Sequence, residues 1–170
     1  MAQTTAKDMN QYIRHNVVTL DKVSSAVIEA MTAVNVERLH LGEHSVGVTS
    51  LRLKTFATNF AEHGKLHCVN CGLEATFFAI ENFTRGGKSN PHVNLYGVNA
   101  DGIDVLFTHD HRVARVFGGA AILENTQVMC LPCNSRKGCE EGKLAASMGI
   151  KRKNKPKNKS KTKRYKNASI

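Results

Sequence analysis

Asp110 and His111 stand side by side at the end of an apolar run, and Asn125, Asn134, Arg136 and Lys137 all follow before Gly138. Carboxylate and carboxamide oxygens are hard ligands for a divalent cation. An imidazole takes up a proton near neutral pH. These are the groups with which a hydrolase holds a metal ion and deprotonates a water. Arg136 and Lys137 add positive charge suited to a phosphate.

Cysteines frame the same stretch. Four of the five form two CxxC pairs, Cys68/Cys71 and Cys130/Cys133. Two sulfurs on one tight turn reach one ion, and four make a tetrahedral site with Zn–S bonds of ~2.3 Å. The pairs are separated by residues 72–129. Closing a loop of that size costs ~3–4 kcal/mol of chain entropy. Structural zinc supplies ~10 kcal/mol or more of apparent binding free energy, so the metal term is the larger. Gly72 and Pro132 suit tight knuckles. Four protein sulfurs leave no position for water, so the zinc is read as structural. It fixes the turn that carries Asn134. Cys139 is left over and is expected to pack as a small, partly buried residue.

The elements that must hold these groups follow from periodicity. Val93, Leu95 and then Ile103, Val105 and Phe107 alternate on either side of Asn99-Ala100-Asp101-Gly102, the pattern of a β-hairpin. The hairpin delivers His109, Asp110 and His111 at a strand end, with His109 on the side that His111 uses. Residues 116–123 turn through Gly118-Gly119, Thr126–Cys130 makes a return strand, and LPCNSRKG opens a helix that Gly149 closes. Upstream, the run Ala75–Ile80 is a strand or a short helix. Residues 84–91 form a loop, basic through Arg85 and Lys88.

Residues 1–65 read as helical. Val23, Ala26, Val27, Ala30, Met31 and Val34 make one apolar face, with Asp21 as the expected N-cap. GEHSVG is expected to be a loop. Leu53, Phe56 and Phe60 make a second helix face that Gly64 ends. His40, His44 and His63 show no spacing that groups them.

With these pieces in place, CVNCG…DH…GG…N…CLPCN-x-x-KG resembles the HNH nuclease family in its four-cysteine zinc form. It is most similar to small free-standing HNH proteins of phages. The resemblance covers about residues 65–142. It implies a ββα-metal fold, two strands and a helix around one catalytic Mg²⁺ or Mn²⁺. By the same resemblance Asp110 and Asn134 are ligands of that cation, His111 is the general base, and Asn125 braces the His111 loop. The family usually has a proline three residues after the histidine of the DH pair, where this chain has Ala114.

The remaining expectations concern the whole chain. Its 170 residues suit one domain with appendages. The expected class is α+β: a helical region over 1–64, an HNH domain with its zinc site over 65–149, and a disordered Lys-rich tail over 150–170. Aromatics are 6% and Trp is absent, so the core is mostly aliphatic. No run reaches the ~18–20 apolar residues of a membrane span, and no secretory signal is visible. A cytoplasmic protein of a bacterial host, phage-encoded, is expected. The formal charge is +10, yet residues 151–170 alone hold ten Lys or Arg and no acid, beginning with Lys151, Arg152 and Lys153. Such a tail attracts a polyanion. Double-stranded DNA is the expected partner, with room for a homodimer or a phage packaging partner. The function read from all this is a metal-dependent DNA endonuclease. The alternative is a non-catalytic, zinc-stabilised nucleic-acid-binding or packaging accessory protein.

Overall fold

The computed structural model describes residues 12–32, 37–84 and 90–150. Along them run β1 (Tyr12–Val18), α1 (Leu20–Thr32), β2 (Arg38–Leu41), β3 (His44–Gly47), α2 (Leu51–His63), β4 (Leu66–His67) and β5 (Glu74–Ala75). Then come β6 (Phe77–Phe83), β7 (His92–Val98), β8 (Asp104–His111), β9 (Thr126–Cys130) and α3 (Leu131–Ser147). Short 3-10 turns lie at Arg115–Phe117 and Leu123–Asn125. The fold is α+β. A five-stranded antiparallel sheet runs in the order β1-β6-β7-β8-β9, and β2-β3 and β4-β5 are separate hairpins.

The expected hairpin is β7–β8, paired from Val98↔Asp104 to Leu95↔Phe107. Asn99 makes its turn, with Oδ1 accepting from the backbone N–H groups of Asp101 and Ile103. The run Ala75–Ile80 resolves as strand, in β5 and β6. Phe78, Ile80, Leu95 and Phe107 fall on one face by register and join a single buried core with Val23 and Val27 of α1 and Leu53 and Phe56 of α2. Each large apolar side chain so buried contributes roughly 1.5–3 kcal/mol. α3 covers the other face of β8 and β9, where Asn134 and Lys137 meet Thr108 and Asp110.

The helical reading of the N-terminal part needs correction. β1 is an edge strand of the main sheet, and RLHLGEHSVG is a hairpin whose two-residue turn uses Gly42 at φ 61°. Gly suits that left-handed turn because it has no Cβ. The core contains side chains from both sides of residue 64.

α1 starts at Leu20, which puts Asp21 in its first turn. The expected face buries Val23 and Val27, while Met31 is exposed. α2 is capped by Ser50, whose side chain accepts from Leu53 N, and ends at Gly64 (φ 68°). No helix among the described residues is long and apolar enough to cross a membrane. Val34, Arg85, Lys88 and the tail with Lys151, Arg152 and Lys153 lie outside the described residues.

Candidate functional site

The sulfur cluster begins with two knuckles. In the first, Cys68 N–H donates to Leu73 O at 2.8 Å and Gly72 N–H to Cys68 O at 2.9 Å, with Gly72 at φ 75°. In the second, β9 ends on Cys130 and α3 begins at once, with Pro132 in its first turn and Cys133 beside it. Proline there loses nothing, because early helix N–H groups have no intrahelical acceptor. A bond from Val69 N–H to Val128 O, 3.1 Å, ties the first knuckle to β9.

Sγ atoms of Cys68, Cys71, Cys130 and Cys133 all lie within 4.8 Å of one another, close enough to hold one metal ion such as zinc. A tetrahedron of ~2.3 Å bonds sets its sulfurs ~3.8 Å apart, and Cys71 and Cys130 are at 3.7 Å. Asn70 Nδ2 and Arg136 Nη2 both donate to Cys133 Sγ, at 3.4 and 3.8 Å.

Burial pushes the Cys130 and Cys133 thiols up. Burial acts the same way on Cys68, but backbone N–H groups of Cys130, Cys71 and Asn70 outweigh it and bring that thiol down to about 7. A divalent cation favours the thiolate form of such a cluster. Cys139 is exposed on α3 rather than partly buried.

A second constellation sits on the α3 face of β8. Asp110 is 8% exposed. Its Oδ2 accepts from Gln127 Nε2 at 2.8 Å and pairs with Lys137 Nζ at 2.9 Å. Lys137 also pairs with Glu141 at 2.7 Å and donates to His111 O at 2.8 Å. Burial alone would lower the Lys137 pKa, but the bonds to Glu141 and Asp110 outweigh it and raise it.

Asn134 Nδ2 donates to Thr108 Oγ1 at 2.7 Å, and Oδ1 makes no hydrogen bond among the described residues. Thus Lys137 meets Asp110 directly, Asn134 meets Thr108 two residues earlier on the same face of the strand, and the ammonium already supplies positive charge at the carboxylate. Arg136 is turned toward the sulfur cluster.

His111 is on the opposite face. It pairs across to Thr126, whose Oγ1 meets Thr55 Oγ1 of α2 at 2.8 Å, and its ring lies 5.6 Å from that of His109. Nε2 of His111 is buried and has no hydrogen-bond partner among the described residues. Asn125 ties down the loop that follows. Its Oδ1 accepts from Val113 N–H at 2.9 Å, and its Nδ2 donates to Val113 O at 3.1 Å and Ala120 O at 2.8 Å. Gly119 passes so close that a Cβ would collide with the Val113 carbonyl oxygen.

Gln127 and Thr108 were not singled out from the sequence. Their roles depend on the β8–β9 register, which the sequence alone does not fix. Glu141 was legible, four residues after Lys137 on one helix. Comparison of the chain with protein-family models, with curated proteins and with solved structures finds no match.

Proposed function

We propose that the protein is a metal-dependent endonuclease of the HNH type that hydrolyses phosphodiester bonds of double-stranded DNA. The observation that carries the reading is that α3 puts Asn134 on Thr108 and Lys137 on Asp110, two residues of one β8 face next to His111 in sequence, with Asn134 Oδ1 making no hydrogen bond among the described residues. These two oxygen-bearing side chains fit a hard divalent cation such as Mg²⁺ or Mn²⁺, which leaves most of its positions to water and phosphate. Bound there, the cation would supply charge stabilisation to the phosphate and the leaving oxygen.

Asp110 and His111 lie on opposite faces, so they act on one phosphate only if it comes to the strand edge. The edge allows this: pairing with β7 stops at Leu95↔Phe107, and Thr108–His111 pairs with β9 alone. His111 is the group that takes the proton of the attacking water. Its Nε2 has no hydrogen-bond partner among the described residues and is buried, so the bound phosphate and its water must open the way to it. Asn125 holds the backbone next to His111. Lys137, which pairs with Asp110 here, would supply positive charge to the phosphate were the cation bound. The four-cysteine site holds zinc and fixes the β9–α3 corner that presents Asn134. Such thiolates persist in a reducing compartment, here a bacterial cytoplasm.

A second reading has its own support. Lys137 already neutralises Asp110, as a purely structural helix contact would. It makes the chain a zinc-stabilised nucleic-acid-binding or packaging accessory protein. Plasmid nicking separates the two. Wild type with Mg²⁺ or Mn²⁺ is expected to relax supercoiled plasmid, and both His111→Ala and chelation to abolish it. Equal relaxation by His111→Ala, or none by wild type, would overturn the nuclease reading.

A further inference from the structure

The β7–β8 ladder ends at Leu95↔Phe107, and beyond it the two strands part. From there His92–Asn94 pairs only with β6, and Thr108–His111 only with β9. Arg52, in the first turn of α2, reaches into this fork. Its Nη2 donates to Val93 O at 2.7 Å, a carbonyl just past the last rung, and its Nη1 to Asn94 Oδ1 at 2.9 Å.

No carboxylate lies within ion-pair distance of Arg52 among the described residues. Glu81 is two bonds away through Asn94, and its charge is already met by Arg14 at 2.9 Å. A partly buried cation without a direct counter-ion is costly, and an anionic ligand would relieve that cost. Arg52, His92, His109 and His111 are each partly exposed as whole residues.

We infer that Arg52, set in the β7–β8 fork, is a phosphate-positioning residue that grips the nucleic-acid backbone next to the strand edge occupied by His111. The inference rests on the nucleic-acid reading above, and it adds a contact from α2, outside the stretch that carries the chemistry. Two guanidinium donors already bind protein oxygens. Its remaining N–H groups make no hydrogen bond among the described residues, and arginine presents them in a fixed fork suited to a phosphate oxygen.

The test uses the full chain in a His111→Ala background, so that cleavage does not disturb binding. A labelled duplex oligonucleotide is titrated by fluorescence anisotropy at several salt concentrations. Arg52→Gln is expected to weaken binding about tenfold and to reduce the salt slope by about one, the signature of one lost phosphate contact. Arg52→Lys keeps the charge and is expected to stay within about threefold of the parent. An Arg52→Gln protein that is folded by circular dichroism and binds with unchanged affinity and slope would overturn the inference.

Should Arg52→Gln fail to fold, the Arg52 Nε–Hε resonance of the parent decides. Saturable movement on adding duplex supports the contact, and a resonance that does not move refutes it. A wild type that never nicks plasmid, with Arg52→Gln still binding weakly, would remove the nuclease and leave the anchor. Intact nicking with unaltered binding in Arg52→Gln would do the reverse.

Discussion

At the scale of single residues, the site turns on neighbours that strand geometry sends to opposite faces. Asp110 and His111 are adjacent, yet one meets Lys137 and the other lies beside His109. The sequence already implied that split through simple alternation. It did not reveal that Lys137 would sit on Asp110, because that needs the crossing of α3 over β8. The departure at Ala114 is now understandable in backbone terms. Ala114 has φ −61° and ψ 146°, within the range that proline imposes, and its N–H donates no backbone hydrogen bond outside regular elements. Ala114→Pro is therefore expected to stabilise the folded state by about 0.4–1 kcal/mol, through the entropy of the unfolded chain. A chemical-denaturation midpoint that falls instead would show that the ring does not fit there.

At the scale of elements, legibility followed regularity. β7 and β8 were visible because their apolar residues alternate on both sides of an Asn-Ala-Asp-Gly turn. β1 was not, because its register shifts between Arg14 and Asn16, and the bulge breaks the period of two that marks a strand. The β2–β3 hairpin was too short, four residues a side, to show a period at all. The four-cysteine cluster was legible for another reason: CxxC spacing is local, whatever folds between the pairs. It also has a structural consequence. Cys130 joins β9 to α3, so losing one sulfur should free the helix that carries Asn134. Zinc's ~10 kcal/mol or more is comparable to the ~5–15 kcal/mol net stability of a whole domain. Cys130→Ser is expected to lose the metal and to unfold cooperatively. A mutant that keeps one zinc by elemental analysis and a native circular-dichroism spectrum would contradict that.

At the scale of the whole molecule, charge and core are segregated. One apolar core is shared by the sheet, α1 and α2, while the +10 net charge is confined to residues 151–170. The segregation was plain in the composition. That the N-terminal region shares this core was not, since it depends on the long-range pairing of β1 with β6. Removing residues 151–170 is expected to leave the thermal midpoint unchanged and to flatten the salt dependence of DNA binding. An undiminished slope would mean that the tail does not touch the polyanion.

The most direct test of the account is Mn²⁺ binding followed by electron paramagnetic resonance on zinc-loaded protein. Wild type is expected to bind one Mn²⁺, and Asp110→Ala and Asn134→Ala each to lose it while retaining zinc. If wild type binds no Mn²⁺, or both variants bind it as well as wild type does, Asp110 and Asn134 do not share a cation and the proposed active site is wrong.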